Sequence, residues 1–339
     1  MTGHNPGRRG MRGTVPPMGL QPKVVALGGG HGLAASLTAL RRLTPDLTAV
    51  VTVADDGGSS GRLRQELGIL PPGDLRKALA ALCGDDEWGR TWASVLQHRF
   101  TGGGELHGHA VGNLLIAALW EKLGDHVDAL AWVGRLLGAH GRVLPMSTVP
   151  LEIEALVRGH DPARPQETTA VRGQAEVAVT PGHVQQVRLV PEEPPAAPEA
   201  VAAVRDADWV ILGPGSWFTS VIPHLLVPTL AEVLSVTRAR KVLALNLAAQ
   251  PGETEGFSSE RHLEVLAAHA PDLTVDAVLA DPAWIGDRDT LEDAAKQLGG
   301  ELVLASVAAA DGTPRHDPEL LAAAYDRIFR THGRIGPWR

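Results

Sequence analysis

The sequence predicts an α/β protein: a Rossmann-like, doubly wound, mostly parallel sheet with a helical layer and a small antiparallel β insert. Three observations predict it. Apolar strand-like runs recur along the chain with helical stretches between them, the pattern of a parallel sheet covered on both faces. Three of those runs open directly into glycine turns: Lys23–Leu27 into Gly28-Gly29-Gly30-His31-Gly32, Val50–Ala54 into Asp55-Asp56-Gly57-Gly58, and Trp209–Leu212 into Gly213-Pro214-Gly215-Ser216. The chain's 339 residues also suffice for one large α/β domain. We assign residues 22–330 to that domain.

The elements follow in order. Residues 1–21 carry Arg8, Arg9 and Arg12 among glycines and prolines with no apolar core, and read as a disordered tail rather than a signal peptide. After the first strand and its turn, Leu33, Leu37 and Leu40 form the stripe of a helix lying on a sheet. Pro45 stops it, and Ala49 to Ala54 form the second strand. Residues from about 74 to 140 read as helical, with Asp74 capping a helix after Pro71-Pro72-Gly73. From about 151 to 190 the pattern alternates, as in Leu151-Glu152-Ile153-Glu154 and Ala175-Glu176-Val177-Ala178-Val179, which predicts the antiparallel insert. Prolines 191, 194, 195 and 198 form a stiff connector. Strands then recur at Trp209–Leu212, Lys241–Leu245, Ala277–Ala280 and Leu302–Ala305.

Composition narrows the partners. A net charge of −8, no basic stripe and only one tyrosine and four phenylalanines argue against a nucleic-acid groove. No apolar run reaches the roughly 18 residues of a membrane helix, so no membrane partner is expected. Cys83 stands alone, which excludes an intrachain disulfide and fits a reducing cytoplasm.

The glycine turns point to a phosphorylated small molecule, because a strand that delivers glycines to a helix start leaves backbone N–H groups aimed at an anion. In the first turn, Gly29, Gly30, His31 and Gly32 are the candidates. Gly30-x-Gly32-x-x-Ala35 is the looser dinucleotide fingerprint, with Asp55 and Asp56 roughly 20 residues further on. That acidic pair has three readings: a ribose clamp, ligands for Mg²⁺ bridging phosphates, or caps for the glycine amides. Arg76 and Lys77 supply positive charge for a diphosphate or else form a solvated surface pair. His109 and Asn113 read as polar contacts at a helix start, Gly213, Gly215 and Ser216 as phosphate donors, and Asn246 and Gln250 as amides for a base or sugar. No serine has an evident base, and no cysteine or histidine set has metal spacing.

Six stretches together carry a resemblance: Gly28-Gly29-Gly30-His31-Gly32-Leu33, Val51–Gly61, Pro72-Gly73-Asp74-Leu75-Arg76, Gly108–Asn113, Leu212–Ser216 and Asn246-x-x-x-Gln250-Pro251-Gly252-Glu253-Thr254. In this order they resemble the YvcK-type gluconeogenesis factor family of bacteria, a branch of the superfamily that includes 2-phospho-L-lactate transferase. The resemblance implies a cytoplasmic protein that binds UDP-N-acetylglucosamine or UDP-glucose. It also implies a role in cell shape, envelope-precursor supply and growth on gluconeogenic carbon, and a homodimer. It adds Arg315 as a partner for the diphosphate. The transferase branch resembles Pro-Asp-Leu-Asp-Thr where this chain has Gly73-Asp74-Leu75-Arg76-Lys77. The expectation is therefore a regulatory ligand-binding protein more than an enzyme. A Mg²⁺-dependent phospholactate-type transferase and an NAD-binding oxidoreductase are the alternatives.

Overall fold

The computed structural model describes residues 21–250 and 252–332; of the tail foreseen at 1–21, all but Gln21 lies outside them. Strand β1 (Val24–Gly28) leads through α1 (Gly30–Leu40) to β2 (Leu47–Val51). Five helices follow: α2 (Gly58–Leu67), α3 (Gly73–Ala81), α4 (Glu87–Gln97), α5 (Val111–Leu123) and α6 (His126–Leu137), closed by β3 (Arg142–Pro145). The insert comprises β4 (Glu152–Arg158), β5 (Thr168–Arg172), α7 (Gln174–Ala178) and β6 (His183–Val190). Beyond it come α8 (Pro198–Asp206), β7 (Trp209–Leu212), a π-helical turn (Trp217–Val221), α9 (Pro223–Leu226) and α10 (Pro228–Val236). The chain continues through β8 (Arg240–Ala244), α11 (Ser259–His269), β9 (Ala277–Ala280), α12 (Arg288–Gln297), β10 (Glu301–Leu304) and α13 (Pro318–His332).

Seven strands form one sheet in the order β10-β9-β8-β7-β1-β2-β3, every neighbouring pair parallel. Strands β1, β2, β7 and β9 are buried along their whole length, as apolar strands covered on both faces should be. From β1 the chain builds outward through β2 to β3, then returns to β7 on β1's other side and builds the opposite way. The order therefore reverses between β1 and β7, the switch point beyond whose C-terminal strand ends folds of this kind place their ligand crevice. Both strands deliver glycine turns there.

Three local expectations are corrected. Strand β2 ends at Val51, because its partner β1 turns away at Gly28 and Thr52 makes the last amide bond to it, at 3.0 Å. Strand β3 was not foreseen; its apolar run is very short and follows directly on a helix. The Ala175–Val179 alternation is not a strand: α7 occupies it, started by Asp56, whose Oδ1 accepts the Ala175 N–H at 2.9 Å. The insert's three-stranded antiparallel sheet, β5-β4-β6, flanks that helix instead.

Candidate functional site

The first amides of α1, as in any helix, have no acceptor within the helix, and the turn after β1 supplies no side-chain cap for them. Gly29 approaches α3 so closely that a Cβ there would stand 2.6 Å from Asp74 Oδ2 and 3.0 Å from Ser220 Oγ. His31 is exposed at the start of α1, in the field of Lys77, Asp74 and Arg76. Gly32 packs directly on the turn after β7: a Cβ would lie 2.2 Å from Pro214 O. The two switch-point turns thus touch through Gly32, which makes it a packing glycine.

Asp55 sits at the end of the β2 loop, its Oδ1 accepting the Gly57 N–H at 3.0 Å. One of the turn's own amides is therefore occupied by a carboxylate. Burial, then the neighbouring Asp74 carboxylate, pushes the Asp55 carboxyl above its ordinary range, against hydrogen bonds from Ser60 and Gly57. Asp74 is not the N-cap foreseen for α3. Pro72 holds that position, no side chain caps the helix, and Asp74 lies in its first turn. There its Oδ1 accepts from Lys77 Nζ at 3.0 Å, one helical turn on. The carboxylate facing Asp55 is thus Asp74, whereas Asp56 is committed to α7. Asp55 and Asp56, expected to act together on Mg²⁺, thus have different partners here. Among the described residues no group of three or more His, Cys, Asp or Glu side chains could hold a metal ion.

Arg76, on α3, is only 3% exposed, so its reading as a solvated surface pair with Lys77 is also corrected. Its aliphatic stem lies on Gly112, where a Cβ would meet Arg76 Cγ at 2.8 Å. Its Nε and Nη1 are buried without any hydrogen-bond partner. Burial, then the charge of Arg99, works against its protonated form, while Asp74 and Asp55 favour it. Beside it, Ser59 Oγ is a hub for α5: it meets His109 Nδ1 at 3.0 Å and accepts from Asn113 Nδ2 at 3.0 Å. Asn113 Oδ1 is buried and unpartnered. Burial, then the charge of Arg62, pushes His109 below its usual value.

On the β7 side the donors are largely spoken for. Asn246 Oδ1 accepts the Gly215 N–H at 2.9 Å and its Nδ2 donates to Gly215 O at 2.8 Å. Both ends of that amide serve the backbone of the turn that Gly213 opens. Ser216 Oγ lies 2.7 and 2.6 Å from the two carboxyl oxygens of Glu253 and touches Thr219 Oγ1. Glu253, 4% exposed, is the acidic partner that the sequence reading did not give Ser216. Burial pushes its carboxyl upward, against hydrogen bonds from Ser216 and Thr219. The stretch containing it was legible as a motif, but nothing in its spacing tied it to a serine 37 residues away. Gln250 donates its N–H to Thr254 Oγ1 at 2.8 Å, and its own Oε1 is buried without a partner. Arg315 is exposed and bonded to Asp311 and Thr313 within its own loop, so the structure does not bring it to the glycine turns.

Residues 24–304 match the family described as 2-phospho-L-lactate transferase CofD. The chain is 58% identical over 308 residues to the putative gluconeogenesis factor of Mycobacterium tuberculosis strain H37Rv, covering 90% of each. It is 38% identical over 270 residues to the gluconeogenesis factor of Bacillus subtilis strain 168, covering 80% of this chain and 82% of that one. A crystal structure of a UPF0052 family member from Bacillus halodurans superposes with a TM-score of 0.79 at 33% identity, over 89% of this chain and 98% of that one.

Proposed function

Since the chain belongs to the CofD family and to its gluconeogenesis-factor branch, we propose that it is a cytoplasmic regulatory protein that binds a nucleotide sugar, UDP-N-acetylglucosamine or UDP-glucose. Its output is envelope-precursor supply, cell shape and growth on gluconeogenic carbon. The observation that carries this reading is Arg76: a buried guanidinium with Nε and Nη1 unpartnered. Buried donors in native proteins are almost always satisfied, and a guanidinium edge matches a phosphate oxygen pair. The uncapped start of α1 adds amides and a positive dipole end to the same crevice. No helix among the described residues is long and apolar enough to cross a membrane. Calorimetry with the two UDP-sugars is the test. Saturable heat and a rise in melting temperature are expected; neither at millimolar ligand would end the reading.

A second reading, a Mg²⁺-dependent transferase, is favoured by one observation, the Asp55–Asp74 carboxylate pair with its raised Asp55 carboxyl. Two facing carboxylates repel, and a divalent cation would relieve that repulsion. Against it, Arg76 stands where the transferase branch carries an acid. Metal-dependent transfer from a phospholactate donor to a deazaflavin acceptor, abolished by Asp55→Asn, would establish it.

A further inference from the structure

We propose that Gln174, the first residue of α7, hydrogen-bonds a donor group of the bound ligand outside its phosphates, and so sets which nucleotide sugar the crevice accepts. This rests on the nucleotide-ligand reading above and assigns the β insert a part in that site.

Helix α7 of the insert is anchored at both ends. At the start of α7, Gly173 has φ +102, a conformation that favours glycine, and a Cβ there would stand 2.4 Å from Asp56 Oδ2. Only glycine lets the insert approach the β2 loop this closely, and Asp56 Oδ1 then accepts the Ala175 N–H. At the end of α7, a Cβ on Gly252 would lie 2.4 Å from Ala178 O, so the loop after β8 packs against the helix terminus. Between these two anchors Gln174 faces the turn after β7: its Nε2 donates to Thr219 Oγ1 over a long 3.5 Å, and Thr219 in turn touches the Ser216 hydroxyl.

The Gln174 amide oxygen is buried and accepts nothing, and the same holds for Gln250 Oε1 in the loop packed against α7. An unmet acceptor sealed from water costs free energy that a ligand donor would recover. Nearer β2, the unmet groups are the Arg76 donors together with the Asn113 acceptor. A ligand with an anion at one end and neutral donors at the other fits that arrangement: phosphates towards Arg76, and hydroxyl, amide or imide groups towards the insert. Inorganic phosphate alone offers little to the second wall.

The experiment is titration calorimetry of wild type and Gln174→Met with UDP-N-acetylglucosamine and with UDP, alongside melting of the ligand-free proteins. Methionine keeps the length of the side chain and removes its polar atoms. The expected result is about 10-fold weaker binding of the UDP-sugar, with a ligand-free melting temperature equal to wild type or higher, because no polar atom is left sealed. If UDP weakens in parallel, the donor lies on the nucleoside; if UDP is unchanged, it lies on the sugar, and either result supports the proposal. Affinity for the UDP-sugar within twofold of wild type overturns it. So does a loss of affinity accompanied by a fall of several degrees in ligand-free melting, which would make Gln174 a strut. Wild type that binds neither probe fails at the underlying reading, a result distinct from both.

Discussion

After β1 the chain enters α1 through bare glycines with no side-chain cap, whereas after β7 the Gly215 backbone is gripped by Asn246 and the Ser216 hydroxyl by Glu253. Both turns sit at the sheet's switch point, and both follow fully buried strands. The difference lies in which side chains stand over them. Asn246 extends from the end of the neighbouring strand β8 and bonds Gly215; at the start of α1 the Asp74 and Ser220 side chains come close to Gly29, but among the described residues no side chain caps the helix. A glycine turn therefore offers an anion socket only where the protein has not supplied its own acceptors. Under the proposed nucleotide-sugar reading, the first turn would therefore receive the anion, while the second is a brace.

This contrast can be broken most severely at the contact between the two turns. Gly32→Ala would force a Cβ to within 2.2 Å of Pro214 O, and urea unfolding should show a loss of about 3 kcal/mol. Gly30→Ala, two residues earlier, meets nothing within 4 Å and bears only the left-handed strain of φ +60. Its loss should be closer to about 1 kcal/mol. Equal losses would mean the turns do not brace each other.

A smaller and opposite effect is expected at Arg76. Replacing it by methionine removes two buried donors that have no hydrogen-bond partner, and although Asp74 and Asp55 lose a nearby positive charge, the ligand-free protein should melt at the same temperature or higher. Affinity for a UDP-sugar should meanwhile fall on the order of 100-fold. A drop in stability would show that the guanidinium holds the fold rather than awaits an anion.

The smallest effect is confined to pH and sharpens the picture of the braced turn. The folded-state carboxyl of Glu253 titrates above its ordinary 4.5. Between those two values the native state holds more protons than the unfolded chain, so this group's contribution to stability falls as pH rises through that window. Glu253→Gln keeps an acceptor for Ser216 without the charge. The stability difference, variant minus wild type, should grow in denaturant titrations as pH is raised above 4.5, and a flat difference would place the Glu253 charge in water.

The strands of the sheet were legible because continuous aliphatic runs set off by glycine or proline nearby leave little choice, as at Val24–Gly28, Trp209–Leu212 and Ala277–Ala280. What escaped was set by distant partners. Helix α7 has the alternation of a strand, and only a carboxylate 119 residues away gives its first turn an acceptor. The Asp74 position reads as a cap, yet the start of α3 is packed so tightly that a Cβ on Gly73 would meet Asp55 and Ser60. Arg76 looks like half of an exposed cationic pair. Its burial depends on Gly112, which offers no side chain and so leaves room for the arginine stem. Gln174 and Glu253 gave no local sign of the company they keep.

The central pairing of β1 with β7 has a consequence for how the molecule comes into being. Val24 is hydrogen-bonded in register opposite Trp209, so the middle of the sheet joins segments far apart in translation order. A nascent chain halted before Trp209 already holds β1, β2 and β3, yet one flank of β1 stays bare until β7 pairs with it. The switch point cannot precede that closure, so it forms only when the two halves of the gene product meet.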